Sequence, residues 1–106
     1  MAQTPEAKVK RKVSDLLRST PHCYYFMPVP SGFGESTLDY IGCLHGRFFS
    51  IETKAPGKKP TDRQKTIISA MQRAGGAVFV IDGDLTELTE WITTTCKSMS
   101  QQSTES

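Results

Sequence analysis

Apolar positions recur at helical spacing in three stretches of this chain and in short strand-like runs in four. Thr4-Pro5 opens the first helix, with Thr as N-cap and Pro in the first turn. Its apolar stripe is Val9, Val13, Leu16 and Leu17, and it should end before Pro21. Cys23 to Val29 reads as a first strand. Residues 38–45 and 47–54, rich in Ile, Phe, Tyr and Thr, read as two more. Thr61-Asp62-Arg63-Gln64 has the form of a capping box, followed by Ile67, Ile68 and Met71 as a buried helix face and by Gly75-Gly76 as a stop. Ala77 to Ile81 is unbroken and apolar, as in a central buried strand. Asp84 can cap a last helix with Leu85, Leu88, Trp91, Ile92 and Cys96 inward. The order α-β-β-β-α-β-α predicts an α/β fold with a mixed central sheet flanked by helices.

Charges interrupt this pattern in one place. Asp39, Glu52 and Lys54 lie inside strand-like runs, where a charge is costly unless it is paired or used. His45-Gly46 between the runs suits a type I′ turn, which needs positive φ at both residues. Closing the hairpin there pairs Leu44 with Arg47, Cys43 with Phe48 and, at the far end, Asp39 with Glu52. Opposed residues share a face, and alternation adds Lys54 to it while Phe49, Ile51 and Thr53 point the other way. A slip of one residue would scatter the three charges. An interstrand ion pair accounts for them structurally; a divalent-metal site for phosphodiester hydrolysis accounts for them chemically.

Length and charge narrow the setting. The chain has 106 residues and a formal charge of +2, which fits one domain. Residues 1–97 read as that domain and 98–106 as a polar, disordered tail. The basic residues fall into two clusters. Lys8, Lys10, Arg11 and Lys12 suit a polyanionic partner and serve equally as a solvated helix face. Lys58, Lys59, Arg63 and Lys65 flank the acidic site and suit the backbone of DNA. Cys23, Cys43 and Cys96 have no zinc-like spacing and read as reduced thiols. No apolar run is long enough to span a bilayer and no signal-peptide pattern is present, so the expected setting is cytoplasmic. Ser31-Gly32-Phe33-Gly34 reads as a loop, and its Gly-x-Gly lacks the strand–loop–helix context of a phosphate cradle. His22 and His45 read as structural, and Tyr24, Tyr25 and Trp91 as core or rim rather than as base-stacking residues.

Asp39, the hairpin, Glu52-Thr53-Lys54, then a helix and a buried strand resemble the core of the PD-(D/E)xK nucleases. Gly46-Arg47-Phe48-Phe49-Ser50-Ile51-Glu52-Thr53-Lys54, followed by Gly57, Gln64, Gly76 and Ala77–Ile81, is most similar to the VRR-NUC (virus-type replication-repair nuclease) family. The resemblance covers roughly residues 4–83. One departure is Leu38, where that family usually has Pro before the Asp; this bears on the local bend at Asp39.

The resemblance implies a restriction-endonuclease-like core and a Mg²⁺- or Mn²⁺-dependent endodeoxyribonuclease. Asp39, Glu52 and the carbonyl of Thr53 would bind the metal, and Lys54 would orient water or stabilise the transition state. Glu6 matches an acidic residue that the family contributes from its first helix, although the helix macrodipole explains an acid there equally well. Glu35 is a weaker alternative. Gln64 would position water or phosphate, or simply close the capping box. The implied substrate is branched DNA, a four-way (Holliday) junction first, cut by a homodimer carrying two sites. The alternatives are a flap or linear-duplex nuclease, a sequence-specific restriction-type enzyme, and a non-catalytic DNA-binding or scaffold protein on the same fold.

Overall fold

The computed structural model describes residues 3–29 and 36–105, with side chains described as far as Ser98. The Ser31–Gly34 loop and Glu35 lie outside the described residues. Along the chain the elements are α1 (Pro5–Arg18), β1 (Cys23–Phe26), β2 (Tyr40–Leu44), β3 (Arg47–Thr53), α2 (Asp62–Arg73), β4 (Ala77–Ile81) and α3 (Thr86–Glu105). This is the α/β order that the apolar pattern predicts. Helix α3 continues through the polar stretch from Ser98 that composition reads as a tail.

The strands form one mixed sheet in the order β1-β2-β3-β4, antiparallel except for the β3–β4 pair. His45 and Gly46 adopt φ values of 50° and 82°, so the turn takes positive φ at both residues. The β2–β3 register follows from it: Leu44 pairs with Arg47, Cys43 with Phe48 and Tyr40 with Ile51.

One sheet face is the core. Tyr40, Leu44, Phe49, Ile51, Phe79 and Ile81 meet Val9, Val13 and Leu17 of α1 and Leu88 and Ile92 of α3. Trp91 packs its ring 5.7 Å from Phe49 and 5.5 Å from Phe79, and Tyr25 lies 5.9 Å from Tyr40. Gly42 permits this layer. A Cβ there would strike the Phe49 ring and stand 2.5 Å from the Tyr24 carbonyl oxygen.

Two expectations about burial need correction. β4 is an edge strand rather than a central one, since it pairs with β3 alone. Its apolar run reflects full cover on one face only: Phe79 and Ile81 enter the core, whereas Val80 on the opposite face is 40% exposed. Helix α2 has no fully buried residue, and Ile67, Ile68 and Met71 are only half-buried. This helix covers the β4 side of the second face and leaves the β1–β2 side open. Tyr24, expected in the core or at its rim, lies on that open side.

Candidate functional site

Glu52 and Lys54 occupy the end of β3 and the first residue beyond it. The Glu52 residue is 5% exposed, and the Lys54 side chain is 13% exposed with its Nζ 3.6 Å from Glu52 Oε2. The backbone N–H of Lys54 donates to the Ile81 carbonyl (2.9 Å), so β4 fixes the backbone from which the ammonium projects.

Gln64 approaches the same carboxylate from α2. Its Nε2 donates to Glu52 Oε2 at 2.7 Å, and its Oε1 accepts from the Thr61 N–H at 2.9 Å. Its own N–H donates to Thr61 Oγ1, completing the capping box. The capping-box reading of Gln64 therefore holds, and the same amide also fixes Glu52.

Asp39 comes to Glu52 by a different route from simple pairing. The ladder ends at Tyr40–Ile51, and Asp39 stands just outside the strand. Its Oδ2 accepts from the Thr53 N–H (2.9 Å) and Thr53 Oγ1 (2.7 Å), so the carboxylate turns to the end of β3. The neighbouring Leu38 is buried at 2% exposure and anchors the approach. Asp39 lies near enough that its charge helps to raise the Glu52 pKa. The two acids thus meet at the end of the sheet.

Burial, followed by the neighbouring Asp39 charge, raises the Glu52 pKa above the ordinary carboxylate value, and Lys54 only partly opposes this. In the metal-free protein, folded Glu52 therefore holds a proton in a pH window where the unfolded chain has released it. Relative to Glu52→Gln, wild-type stability should fall as pH rises from the ordinary carboxylate value through the raised one. Urea midpoints of both proteins across pH 4–8 would check the sign; a wild type that gains on the variant with rising pH would refute it.

The first helix adds Lys10, which the sequence pattern places in a basic cluster and not at the acidic site. Lys10 Nζ stands 3.8 Å from Asp39 Oδ1 and 3.7 Å from Glu6 Oε2. Tyr40 holds this turn of α1 in place: its hydroxyl donates to the Lys10 carbonyl (2.9 Å) and lies 2.7 Å from Ser14 Oγ. Glu6 thus reaches the site through an ammonium. The i,i+4 spacing of Glu6 and Lys10 is the available sequence signal, and it points only to a local helix pair.

The donor set suits a hard cation. Among the described residues, no group of three or more His, Cys, Asp and Glu side chains gathers as a metal site. Two carboxylates plus water and substrate oxygen nevertheless meet the needs of Mg²⁺. A cation would also offset the burial and the Asp39 charge that together raise the Glu52 pKa. Removing Lys10, a competing positive charge, should tighten Mn²⁺ binding about two- to fivefold, the range of a part-exposed ion pair. Calorimetric titration of Lys10→Met against wild type would read this; weaker binding would contradict it.

Lys58, Lys59, Arg63 and Lys65 are exposed on the loop and helix beyond Lys54. His22 and His45 lie together, with ring centroids 5.0 Å apart. Cys23, Cys43 and Cys96 are free thiols. No helix of the described residues is long and apolar enough to cross a membrane. No protein-family model matches the chain, and no curated protein or solved structure shows significant similarity to it.

Proposed function

We propose that this protein is a metal-dependent, structure-selective DNA endonuclease with a restriction-endonuclease-like core, acting as a homodimer on branched DNA. A four-way junction is the first substrate to test. The observation that carries this reading is the convergence of Asp39, Glu52, Lys54 and Gln64 at one end of the sheet. An interstrand ion pair alone has no use for a second, repelling carboxylate.

In this reading Asp39 and Glu52, with the Thr53 carbonyl, would hold Mg²⁺ or Mn²⁺, which when bound would supply an acidified water and neutralise charge on the scissile phosphate. Thr53 holds Asp39 through two hydrogen bonds, and Gln64 holds Glu52 through one, so both acids are positioned before substrate arrives. Lys54 presents its ammonium to the phosphate oxygens on which charge builds in the transition state. Glu6, tied to Lys10, is the outermost candidate ligand. Lys58, Lys59, Arg63 and Lys65 contact the sugar–phosphate backbone, which gives affinity without sequence information.

End-labelled four-way junction, flap and linear duplex, each incubated with Mg²⁺ or Mn²⁺, test the reading. Wild type should cut the junction and Lys54→Met should not. No cleavage of any substrate, with DNA binding unchanged in Lys54→Met, would leave a non-catalytic DNA-binding protein. Sequence-specific cuts in linear duplex would instead indicate a restriction-type enzyme.

A further inference from the structure

The sheet face that carries Glu52 is not fully covered. Cross-strand pairing places Tyr24 beside Cys43 and Cys43 beside Phe48, and it places Phe26 beside Ile41 and Ile41 beside Ser50. These residues alternate with the core set and therefore share the face opposite the core. Tyr24 is 70% exposed, Phe26 56% and Phe48 42%. Three solvent-facing aromatic rings on β1 and β3, with Ile41 and Cys43 of β2 between them, suit a partner that offers flat apolar surface.

Phe48 also forms a wall of an open cleft of about 320 Å³, lined in addition by Met71, Ala74, Gly75 and Gly76. Gly76 is required there, because a Cβ would stand 2.5 Å from Phe48 Cδ1. The ring consequently lies against the bare backbone of Gly76, which lines the same cleft.

The geometry points to a nucleobase platform: Tyr24, Phe26 and Phe48 stack unpaired bases of the strand whose phosphate lies at Glu52 and Lys54. This rests on the nuclease reading and shifts its preferred substrate from the fully paired four-way junction to flaps and other branched DNA with unpaired nucleotides beside the scissile phosphate. Three features favour bases over an apolar protein partner. The exposed rings are aromatic, and base–aromatic stacking tolerates any sequence. The platform is continuous with the acidic site. Phe26 and Ile41 form the side-chain row next to Asp39 and Glu52, roughly 7 Å away, and the Tyr24–Phe48 row is roughly 13 Å away at the rise of a strand. Those spans match about two and four stacked nucleotides at 3.4 Å each. Finally, Lys54, Lys58 and Lys59 follow directly from the end of β3, offering cations to the backbone of the same strand.

The test compares binding of a fluorescent 15-nucleotide oligothymidylate with that of an abasic deoxyribose-phosphate oligomer of equal length. Measurements in EDTA keep binding separate from cleavage. Wild type should prefer the base-bearing strand about tenfold or more, and Tyr24→Ala/Phe26→Ala should lose that preference while keeping its melting temperature and its abasic affinity. Equal wild-type affinity for both oligomers would overturn the proposal. So would sedimentation showing that the double variant turns a wild-type dimer into a monomer, since a second copy would then own this face. Cleavage in Mg²⁺ is scored separately. A platform that binds bases in a protein unable to cut DNA would refute the nuclease reading and leave the platform standing.

Discussion

Replacing Glu52 with glutamine should abolish DNA cleavage, by on the order of 10³-fold or more, while leaving the fold and DNA affinity nearly intact. The fold should survive because an amide fills the same volume, and its carbonyl oxygen can still accept from Gln64 Nε2. Cleavage should fail because the amide is a much poorer partner for a hard cation than a carboxylate, and Asp39 alone cannot replace it. Single-turnover cleavage of a labelled junction measures the loss, and gel shift in Ca²⁺ or EDTA measures retained binding. Activity within tenfold of wild type would remove Glu52 from the catalytic set. Gln64→Ala should lose less, because it removes only the group that orients Glu52. Its effect should appear in kcat rather than in DNA affinity.

The largest effect on stability is expected far from those acids, at Gly42. Alanine there would drive its methyl group into the Phe49 ring and towards the Tyr24 carbonyl. Phe49 cannot withdraw, because Trp91 lies against it and the residue is fully buried. The Tyr24 carbonyl cannot move without opening the β1–β2 ladder. Overpacking of this kind costs about 1–3 kcal/mol, more where backbone must shift. For a domain of this size the melting temperature should fall by roughly 10 °C or more. Thermal melts of Gly42→Ala would check it; a change under about 2 °C would mean that the sheet flexes there at little cost. By contrast, Gly46→Ala meets no neighbouring atom and should suffer only from its positive φ.

The parts of the site read correctly from sequence are those set by short-range rules. The His45-Gly46 turn fixes the register that carries Glu52 and Lys54, and the Thr61–Gln64 box fixes where α2 begins. Asp39 was legible as a residue but not as a geometry. Pairing arithmetic puts it opposite Glu52, whereas Thr53 draws its carboxylate to the end of the strand. Lys10 was not legible as part of the site. Its approach to Asp39 depends on how α1 lies across the sheet, and the Tyr40 hydroxyl that holds it is 30 residues away in sequence. The edge position of β4 was hidden for a related reason. An apolar run reports cover on its faces and says nothing of how many strands flank it. The open aromatic face escaped notice because alternation separates two faces of a strand without saying whether a helix covers the second.

The turn between β2 and β3 has a kinetic consequence. Hairpins close in about 1–10 µs, long before distant segments find one another. Leu38 through Lys54 can therefore choose a register while α1 and β4 are still unattached, although so short a ribbon is only marginally stable by itself. Later docking then acts as proofreading. Tyr40 and Ser50 can make their bonds to each other and to α1 only in the one alignment that also brings Asp39 to Thr53. A misaligned ribbon would lose those bonds, so the chain has little opportunity to complete its core around a misassembled acidic pair.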